Sequence, residues 1–196
     1  YREGPLRVCF VGRLVPYKGP DMLLEAAIPL VRENKLTLDI FGDGPLMPKL
    51  CRMLKDEGIS DGVTLHGWIE HSKLQDHMCH SQVFAFPSIR EFGGGAVLEA
   101  MALGLVPLIV DYAGPAELVT QGTGVKVPLE RREDLVAAFR KRLLALFEQR
   151  TSLEAIGKAA RSRVHELFTW EVKARQVKEI YRWLCLPGLD KPQFFI

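Results

Sequence analysis

The 196-residue sequence has no apolar run of the length that a membrane-spanning helix requires, and no signal peptide is recognisable in it. Its four cysteines, Cys9, Cys51, Cys79 and Cys185, lack the short paired spacing of a disulfide framework. We therefore expect reduced, half-buried thiols in a cytoplasmic protein. Nothing at the amino terminus resembles a natural start, so we expect a fragment cut at a linker.

A strong charge of one sign is also missing, because the formal net charge is only +2. That balance is too small to indicate a nucleic-acid partner, and we predict none. The distribution is uneven, since residues 130–183 contain thirteen Lys and Arg against eight Asp and Glu. Solvated helix faces account for this surplus, with peripheral attraction to an acidic inner membrane face as the alternative.

Several signatures of nucleotide and metal chemistry are absent as well. The sequence contains no Gly-Lys-Ser/Thr of a Walker loop, no Gly-x-Gly-x-x-Gly dinucleotide fingerprint and no Asp-x-Asp pair. No Ser/His/Asp or Cys/His arrangement for nucleophilic catalysis stands out. His71, His77, Cys79 and His80 crowd one segment, but their spacing matches no known zinc site. We predict no metal and no cofactor.

What the sequence does contain is an alternation of short apolar runs and amphipathic segments, the pattern of βαβ units. Runs such as Val-Phe-Ala-Phe are apolar on both faces, as strands covered by helices on each side must be. We predict an α/β fold with a Rossmann-like, doubly wound, parallel six-stranded sheet. One domain is predicted over residues 1–196, with its core in residues 6–184. The predicted strands cover residues 6–11, 36–41, 63–66, 83–86, 106–110 and 124–127.

Helices are predicted to begin near Pro20 and near Pro45, to cover residues 72–80, and to follow the glycines at 93–95. The segment 111–117 is predicted to open and cap a further helix. After the last strand only helices are predicted, on two apolar stripes with helical spacing. The first consists of Leu135, Val136, Phe139, Leu143, Leu146 and Phe147, and the second of Trp170, Ala174, Val177, Tyr181 and Leu184.

The loop after the first strand carries two cations, Arg13 and Lys18, between Gly12 and Gly19. In an open parallel sheet, ligands bind outside the carboxyl ends of the strands. A guanidinium and an ammonium group at this position suit a diphosphate. Ordinary surface charges around a turn are the alternative interpretation.

The loop after the fourth strand carries three consecutive glycines, Gly93, Gly94 and Gly95, at a predicted helix start. Their missing side chains let a ligand approach the backbone, and the N–H groups of a helix start favour phosphate. Glu91 precedes the glycines and Glu99 lies about one turn into the helix. Each carboxylate needs a partner beside a phosphate site, and the hydroxyl groups of a ribose and a sugar ring would serve. The alternative is a flexible turn with a solvated Glu91 and with Glu99 paired to a surface cation.

Weaker candidates stand at two other strand ends. Trp68 follows Gly67 after the third strand, where a packing residue and a base-stacking platform are both possible. The segment 42–45 is foremost a tight turn.

Taken together and in order, these segments resemble the carboxyl-terminal domain of retaining GT-B glycosyltransferases, family 4 in particular. The resemblance rests on Phe-Val-Gly-Arg-Leu-Val-Pro-Tyr-Lys-Gly at 10–19, Ile-Phe-Gly-Asp-Gly-Pro at 40–45 and Leu-His-Gly-Trp at 65–68. It continues with Glu-x7-Glu, from Glu91 to Glu99, running into Glu-Ala-Met-Ala-x-Gly, and with Phe-Thr-Trp at 168–170.

The resemblance implies a role for each matching position. Arg13 and Lys18 would hold the donor diphosphate, and Glu99 would bind the ribose hydroxyls. Glu91 would be the catalytic-site residue that contacts and orients the transferred sugar. Amides near Gly93, Gly94 and Gly95 would face the sugar or the phosphate, and residues around Gly67 and Trp68 would lie near the base.

The resemblance also implies a metal-independent transfer of a hexosyl group with retention, in which the cations and the helix start stabilise the leaving diphosphate. The sequence departs from the family pattern Glu-x-Phe-Gly, because Phe92 follows Glu91 directly. The partners implied are a nucleotide sugar and a missing amino-terminal acceptor domain. The final helix, with Trp170 and Tyr181, would reach back toward that domain.

Two other functions compete with this one. A non-catalytic sugar-nucleotide sensor would keep the fold, although the presence of Arg13, Lys18, Glu91 and Glu99 argues against it. An epimerase or dehydrogenase of another α/β family would need the glycine fingerprint that is absent.

Overall fold

The structure is a computed structural model that describes residues 4–194. Within that range the chain forms six strands and eight α-helices. The strands are β1 (Leu6–Val11), β2 (Leu36–Phe41), β3 (Val63–Gly67), β4 (Val83–Phe86), β5 (Val106–Val110) and β6 (Val125–Val127). The helices are α1 (Pro20–Arg32), α2 (Met47–Glu57), α3 (His71–Met78), α4 (Gly95–Ala102), α5 (Ala113–Leu118), α6 (Arg132–Glu148), α7 (Leu153–Leu167) and α8 (Trp170–Cys185).

All strand pairs are parallel, and the strand order is β3-β2-β1-β4-β5-β6. The chain therefore builds the sheet outward from β1 to β3 and then returns to start again on the other side of β1. The order reverses between β1 and β4, so the loops that follow these two strands lie next to each other. The predicted class, a Rossmann-like α/β fold with a six-stranded parallel sheet, is confirmed.

The central strands are covered on both faces, which explains their continuous apolar sequences. Every residue of β4 and β5 is buried. Phe84 stacks on Phe86, and Phe86 stacks on Phe10 of β1, with ring centroids 5.5 and 6.0 Å apart. Burying each such side chain contributes about 1.5–3 kcal/mol. The carboxyl ends of β1 and β4 thus rest on a rigid core.

Two helices differ slightly from their predicted bounds. Helix α2 begins at Met47 and not near Pro45, and α3 covers His71–Met78 and not residues 72–80. Helix α7 was not predicted as a separate element. It packs against α4 through small residues, and a Cβ atom on Gly157 would lie 2.1 Å from the carbonyl oxygen of Gly104. The buried face of α7 consists of Leu153, Gly157, Ala160 and Val164, so small residues occupy its middle and interrupt the stripe of large apolar residues that would have marked the helix.

The expectation of half-buried thiols is wrong. Cys9 is fully buried in β1, whereas Cys51, Cys79 and Cys185 are exposed. All four are free thiols in the described part of the chain. Burial raises the pKa of Cys9 to about 12, so that its thiol stays protonated near neutral pH.

Across residues 4–194, no helix combines the length and the apolar character needed to cross a bilayer.

Asp21, in the first turn of α1, is a buried carboxylate that ties three helices together. Its Oδ2 accepts hydrogen bonds from Lys49 of α2 at 2.6 Å and from Arg132 of α6 at 3.3 Å. Burial on its own would raise the pKa of Asp21, but the hydrogen bonds and positive charges of Lys49 and Arg132 outweigh it and lower that pKa. A lowered pKa means that the ionised carboxylate stabilises the folded state.

We expect Asp21→Asn to lower the free energy of unfolding at pH 7 by about 1–2 kcal/mol, since both cations are partly exposed. The carboxylate's contribution is complete above its unfolded pKa of about 3.9 and is lost as pH falls through the lower folded pKa. The stability difference between the two chains should therefore begin to shrink below about pH 3.9 and disappear below the folded pKa of Asp21. Urea unfolding at neutral and acidic pH measures this. Glu33→Gln, at an exposed ion pair with Lys35, is the control and should have little effect. An equal loss at both pH values would contradict the assignment.

Candidate functional site

The loops after β1 and β4 are joined where the strand order reverses. The backbone N–H of Ile89 donates to the carbonyl oxygen of Tyr17 at 2.9 Å, and the Ser88 hydroxyl donates to the same oxygen at 3.3 Å. Ser88 is buried, so this connection is shielded from water. The residue after Tyr17 is thereby held against the segment that leads to Glu91.

Lys18 and Glu91 form an ion pair across this junction. Only 18% of the lysine side chain and 17% of the glutamate side chain are exposed. The Lys18 ammonium also lies 5.0 Å from the centroid of the Phe86 ring, within cation–π range. The structure thus brings together two predicted site residues that are 73 positions apart, and gives Glu91 a protein partner.

The triple-glycine turn follows two residues later and opens α4. Gly94 is the N-cap with φ of 70°, and a Cβ atom there would come within 3.1 Å of Pro115. A Cβ atom on Gly93 or Gly95 would have no neighbour within 4 Å. The first turn of a helix leaves backbone N–H groups without intrahelical partners and carries partial positive charge. The bare backbone at Gly93 and Gly95 is therefore open to an anion, beside the Lys18–Glu91 pair.

The backbone of this turn is fixed from the other side by the start of α5. A Cβ atom on Gly114 would lie 2.0 Å from the carbonyl oxygen of Phe92, so the two segments are in close backbone contact. The Phe92 side chain, in contrast, is 97% exposed. The segment 111–117 opens helix α5 as predicted, but its N-cap residue is Tyr112 with no side-chain capping hydrogen bond, and Asp111 pairs with Lys126 at 2.9 Å.

Arg13 is exposed and lines a cavity of about 460 Å³ at the carboxyl ends of β1, β2 and β3. Asp43, Trp68 and His71 line the same cavity. The structure places Arg13 with the Trp68 side of the site, whereas it places Lys18 with Glu91. That both cations contact one donor diphosphate stays a prediction.

Trp68 is 75% exposed at the mouth of this cavity, so its interpretation as a packing residue is wrong. Gly67, before it, accepts a hydrogen bond from the backbone N–H of Gly42 at 2.7 Å, which joins the ends of β2 and β3. An exposed aromatic ring on a fixed turn is suited to stacking on a planar group.

Glu99, in the second turn of α4, has its own protein partner. Its Oε1 lies 3.3 Å from Nε2 of His71, the first residue of α3. His71 was considered from sequence only as part of a zinc site, and its contact with Glu99 was missed. A spacing of 28 residues gives no local signal for such a contact.

No group of three His, Cys, Asp or Glu side chains in residues 4–194 could hold a metal ion. His66 instead pairs with Asp39 at 2.6 Å and stacks on Phe41. His77 lies against the same two rings, with centroids 5.9 Å from each. His71, His77 and His80 are all exposed, and of these His77 makes the ring contacts with Phe41 and His66.

Comparison with known proteins adds a family match. A family model described as "Glycosyl transferases group 1" matches residues 5–148. A D-inositol 3-phosphate glycosyltransferase of Gordonia bronchialis is 35% identical over 176 residues, 84% of this chain and 37% of that protein. A GDP-mannose-dependent alpha-(1-6)-phosphatidylinositol monomannoside mannosyltransferase of Mycobacterium tuberculosis is 33% identical over 195 residues, 92% of this chain and 48% of that protein. The chain spans less than half the length of these relatives.

Solved structures share the fold. The pneumococcal O-GlcNAc transferase GtfA, in complex with UDP and GlcNAc, superposes with a TM-score of 0.79 at 23% identity, covering 93% of this chain and 36% of that one. The carboxyl-terminal domain of a glycosyl transferase group 1 family protein, LpcC from Francisella tularensis, has a TM-score of 0.74 at 19% identity. It covers 84% of this chain and 87% of that one.

Proposed function

This chain belongs to the glycosyl transferases group 1 family, and we propose that it is the donor-binding part of a glycosyltransferase that uses a nucleoside-diphosphate sugar. The observation that carries the proposal is the junction of the β1 and β4 loops. The part-buried Lys18, the carboxylate of Glu91 and the glycine-rich start of α4 all follow the carboxyl ends of these two central strands. The carboxyl ends of the strands, at the point where strand order reverses, are the usual ligand site of open α/β sheets.

The proposed chemistry follows from where charge develops. The bond between the anomeric carbon of the donor sugar and its phosphate oxygen breaks, and the nucleoside diphosphate leaves with the bonding electrons. The acceptor hydroxyl forms the new bond to that carbon, and its proton passes to an oxygen of the leaving diphosphate. Negative charge grows on the diphosphate, where Lys18, Arg13 and the first turn of α4 stabilise it. Because fixed positive groups supply this stabilisation, we propose that no divalent metal is needed.

In this proposal Glu91 has two tasks. Its ion pair with Lys18 fixes the ammonium group near the phosphates, and its free carboxylate oxygen accepts hydrogen bonds from the transferred hexose. A carboxylate can accept about four hydrogen bonds, so one lysine does not exhaust it. We propose that transfer occurs with retention of configuration at the anomeric carbon. Glu91 orients the sugar, and the acceptor hydroxyl attacks from the same face of the sugar that the diphosphate leaves.

The base and ribose are proposed to occupy the cavity of about 460 Å³ between Arg13, Asp43 and Trp68. Its volume suits a nucleoside, and ligand sites of 300–1,000 Å³ are typical. Trp68 would stack on the base and Glu99 would accept from the ribose hydroxyls.

We also propose that transfer requires a second, acceptor-binding domain. Helix α8 supports this, because its predicted apolar stripe is uncovered. Trp170 is 87% exposed, and Tyr181 and Leu184 are also exposed. Thr169 caps the helix by accepting from the backbone N–H of Val172, so α8 is a well-formed helix with an apolar face that lacks a cover within the described residues. A neighbouring domain would bury that face.

Titration calorimetry with UDP and with GDP tests the proposed function. We expect one of them to bind with comparable affinity in the presence of EDTA and of Mg²⁺. Arg13→Ala should weaken this binding about tenfold, as the loss of a charge-assisted hydrogen bond predicts. Arg52→Ala, on the exposed face of α2, removes the same charge elsewhere and is the matched control. If neither nucleotide binds, or if the two variants behave alike, the proposed site is wrong. A transfer assay on a protein that also contains the proposed acceptor-binding domain tests the reaction itself.

A further inference from the structure

His71 joins the wall of the nucleoside cavity to helix α4. It is the first residue of α3, it lines the cavity together with Arg13 and Trp68, and its Nε2 lies 3.3 Å from Oε1 of Glu99. A carboxylate at this position would otherwise be free to turn, since Glu99 lies on an open helix face with 39% of its side chain exposed. The contact engages one of its two oxygens.

The geometry leaves the other oxygen of Glu99 available. An imidazole Nε2–H occupies one acceptor position of Oε1, and a carboxylate has about four such positions in all. Two neighbouring hydroxyl groups of a ribose can donate to the remaining ones. A glutamate held in one rotamer loses less conformational entropy on binding than a free one, because that cost has been met on folding.

We propose that His71 is a positioning residue, which holds the Glu99 carboxylate so that it accepts hydrogen bonds from the 2′- and 3′-hydroxyl groups of the donor nucleotide. This rests on the proposed function, and it adds a residue on α3 to a site otherwise built from the loops after the strands and from α4. His71 acts through Glu99, so its effect appears in the discrimination between ribose and deoxyribose.

The experiment compares UDP with 2′-deoxy-UDP, and GDP with 2′-deoxy-GDP, by calorimetry on the 196-residue chain. The unaltered chain should prefer the ribonucleotide about tenfold, which corresponds to one hydrogen bond to a charged group. His71→Ala should reduce that preference to about twofold, mainly by weakening the ribonucleotide. His71→Gln, whose amide N–H₂ can still donate to Glu99, should restore most of it. His80→Ala removes another exposed histidine near the end of α3 and should leave the preference unchanged.

A double-mutant cycle separates positioning from a general effect on the cavity. Glu99→Ala should abolish the preference, and adding His71→Ala to it should have no further effect on the preference, because both act on one interaction. If His71→Ala retains the full preference, the inference is overturned while the proposed function stands. If Glu99→Ala also retains it, the ribose role of Glu99 is wrong. If the unaltered chain binds none of the four nucleotides, the proposed function fails and this inference fails with it.

Discussion

Replacing Lys18 with alanine is expected to weaken UDP or GDP binding by on the order of 30-fold, and to leave the much weaker binding of uridine or guanosine unchanged. A hydrogen bond to a charged group contributes about 1.5–3 kcal/mol, and 1.4 kcal/mol corresponds to a factor of ten in Kd. A 30-fold change in Kd corresponds to about 2 kcal/mol, which lies within that range, and Lys18 should reach it because its side chain is only 18% exposed and solvent screens it little. Its loss also leaves Glu91 without its cation, beside a ligand of the same sign.

The loss of the cation beside Glu91 provides the sharpest test of this prediction. Adding Glu91→Gln to Lys18→Ala removes the uncompensated negative charge, so the double variant should bind the nucleotide more tightly than Lys18→Ala alone. Lys35→Ala removes an equal charge from an exposed pair with Glu33 and should change Kd by less than twofold. Calorimetry at about 0.15 M salt measures all four chains. If Lys18→Ala binds as Lys35→Ala does, Lys18 does not contact the phosphates.

The sheet could be predicted from sequence because its strands are buried on both faces. Strands β1, β2, β4 and β5 have the predicted bounds, since continuous apolar runs between polar turns have few other structures available. The two edge strands, β3 and β6, each differ by one residue from the prediction. At an edge only one neighbouring strand fixes the register, so the sequence pattern is weaker there.

The partners within the site could not be predicted, because they depend on strand order. Lys18 and Glu91 were both proposed from sequence as ligand-binding residues, yet their contact with each other requires β1 and β4 to be neighbours. No local pattern encodes a pairing across 73 residues. The same holds for Glu99, which was expected to meet hydroxyl groups or a surface cation and which lies against His71.

Helix α8 shows what helical periodicity can and cannot indicate. The spacing of Trp170, Ala174, Val177, Tyr181 and Leu184 predicts one apolar face, and the structure places these residues on exposed positions of one helix. Helical periodicity therefore identifies the apolar face of a helix, but it does not indicate what packs against that face. For Trp68 the sequence left packing and base stacking both open, since a large aromatic residue after a strand can be packed in a core or exposed at a cavity, and the structure shows it exposed.

Replacing Gly42 with alanine is expected to cause the largest loss of stability among the changes considered. Gly42 has φ of 131°, which L-residues rarely adopt, and a Cβ atom there would lie 2.0 Å from the carbonyl oxygen of Gly12. Backbone strain of this kind costs about 1–3 kcal/mol. The overlap adds to it, because the neighbouring atom belongs to the backbone and cannot rotate away. We expect a loss of about 3–5 kcal/mol in the free energy of unfolding, or roughly 6–20 °C in Tm for a chain of this size.

Gly58→Ala is the matched control for this change. Gly58 also has positive φ, 63°, but a Cβ atom there would meet nothing within 4 Å. Its replacement therefore adds backbone strain alone, about 1 kcal/mol. Thermal unfolding of both variants separates the contribution of backbone strain from that of the overlap with Gly12. Because Gly12 and Gly42 also line the cavity proposed to hold the nucleoside, a Gly42→Ala chain that still folds should bind UDP and GDP poorly, whereas Gly58→Ala should bind them normally. Equal stability losses in the two variants would mean that the ends of β1 and β2 can separate easily, and that the cavity between them is not the rigid receptor required for a preformed nucleoside site.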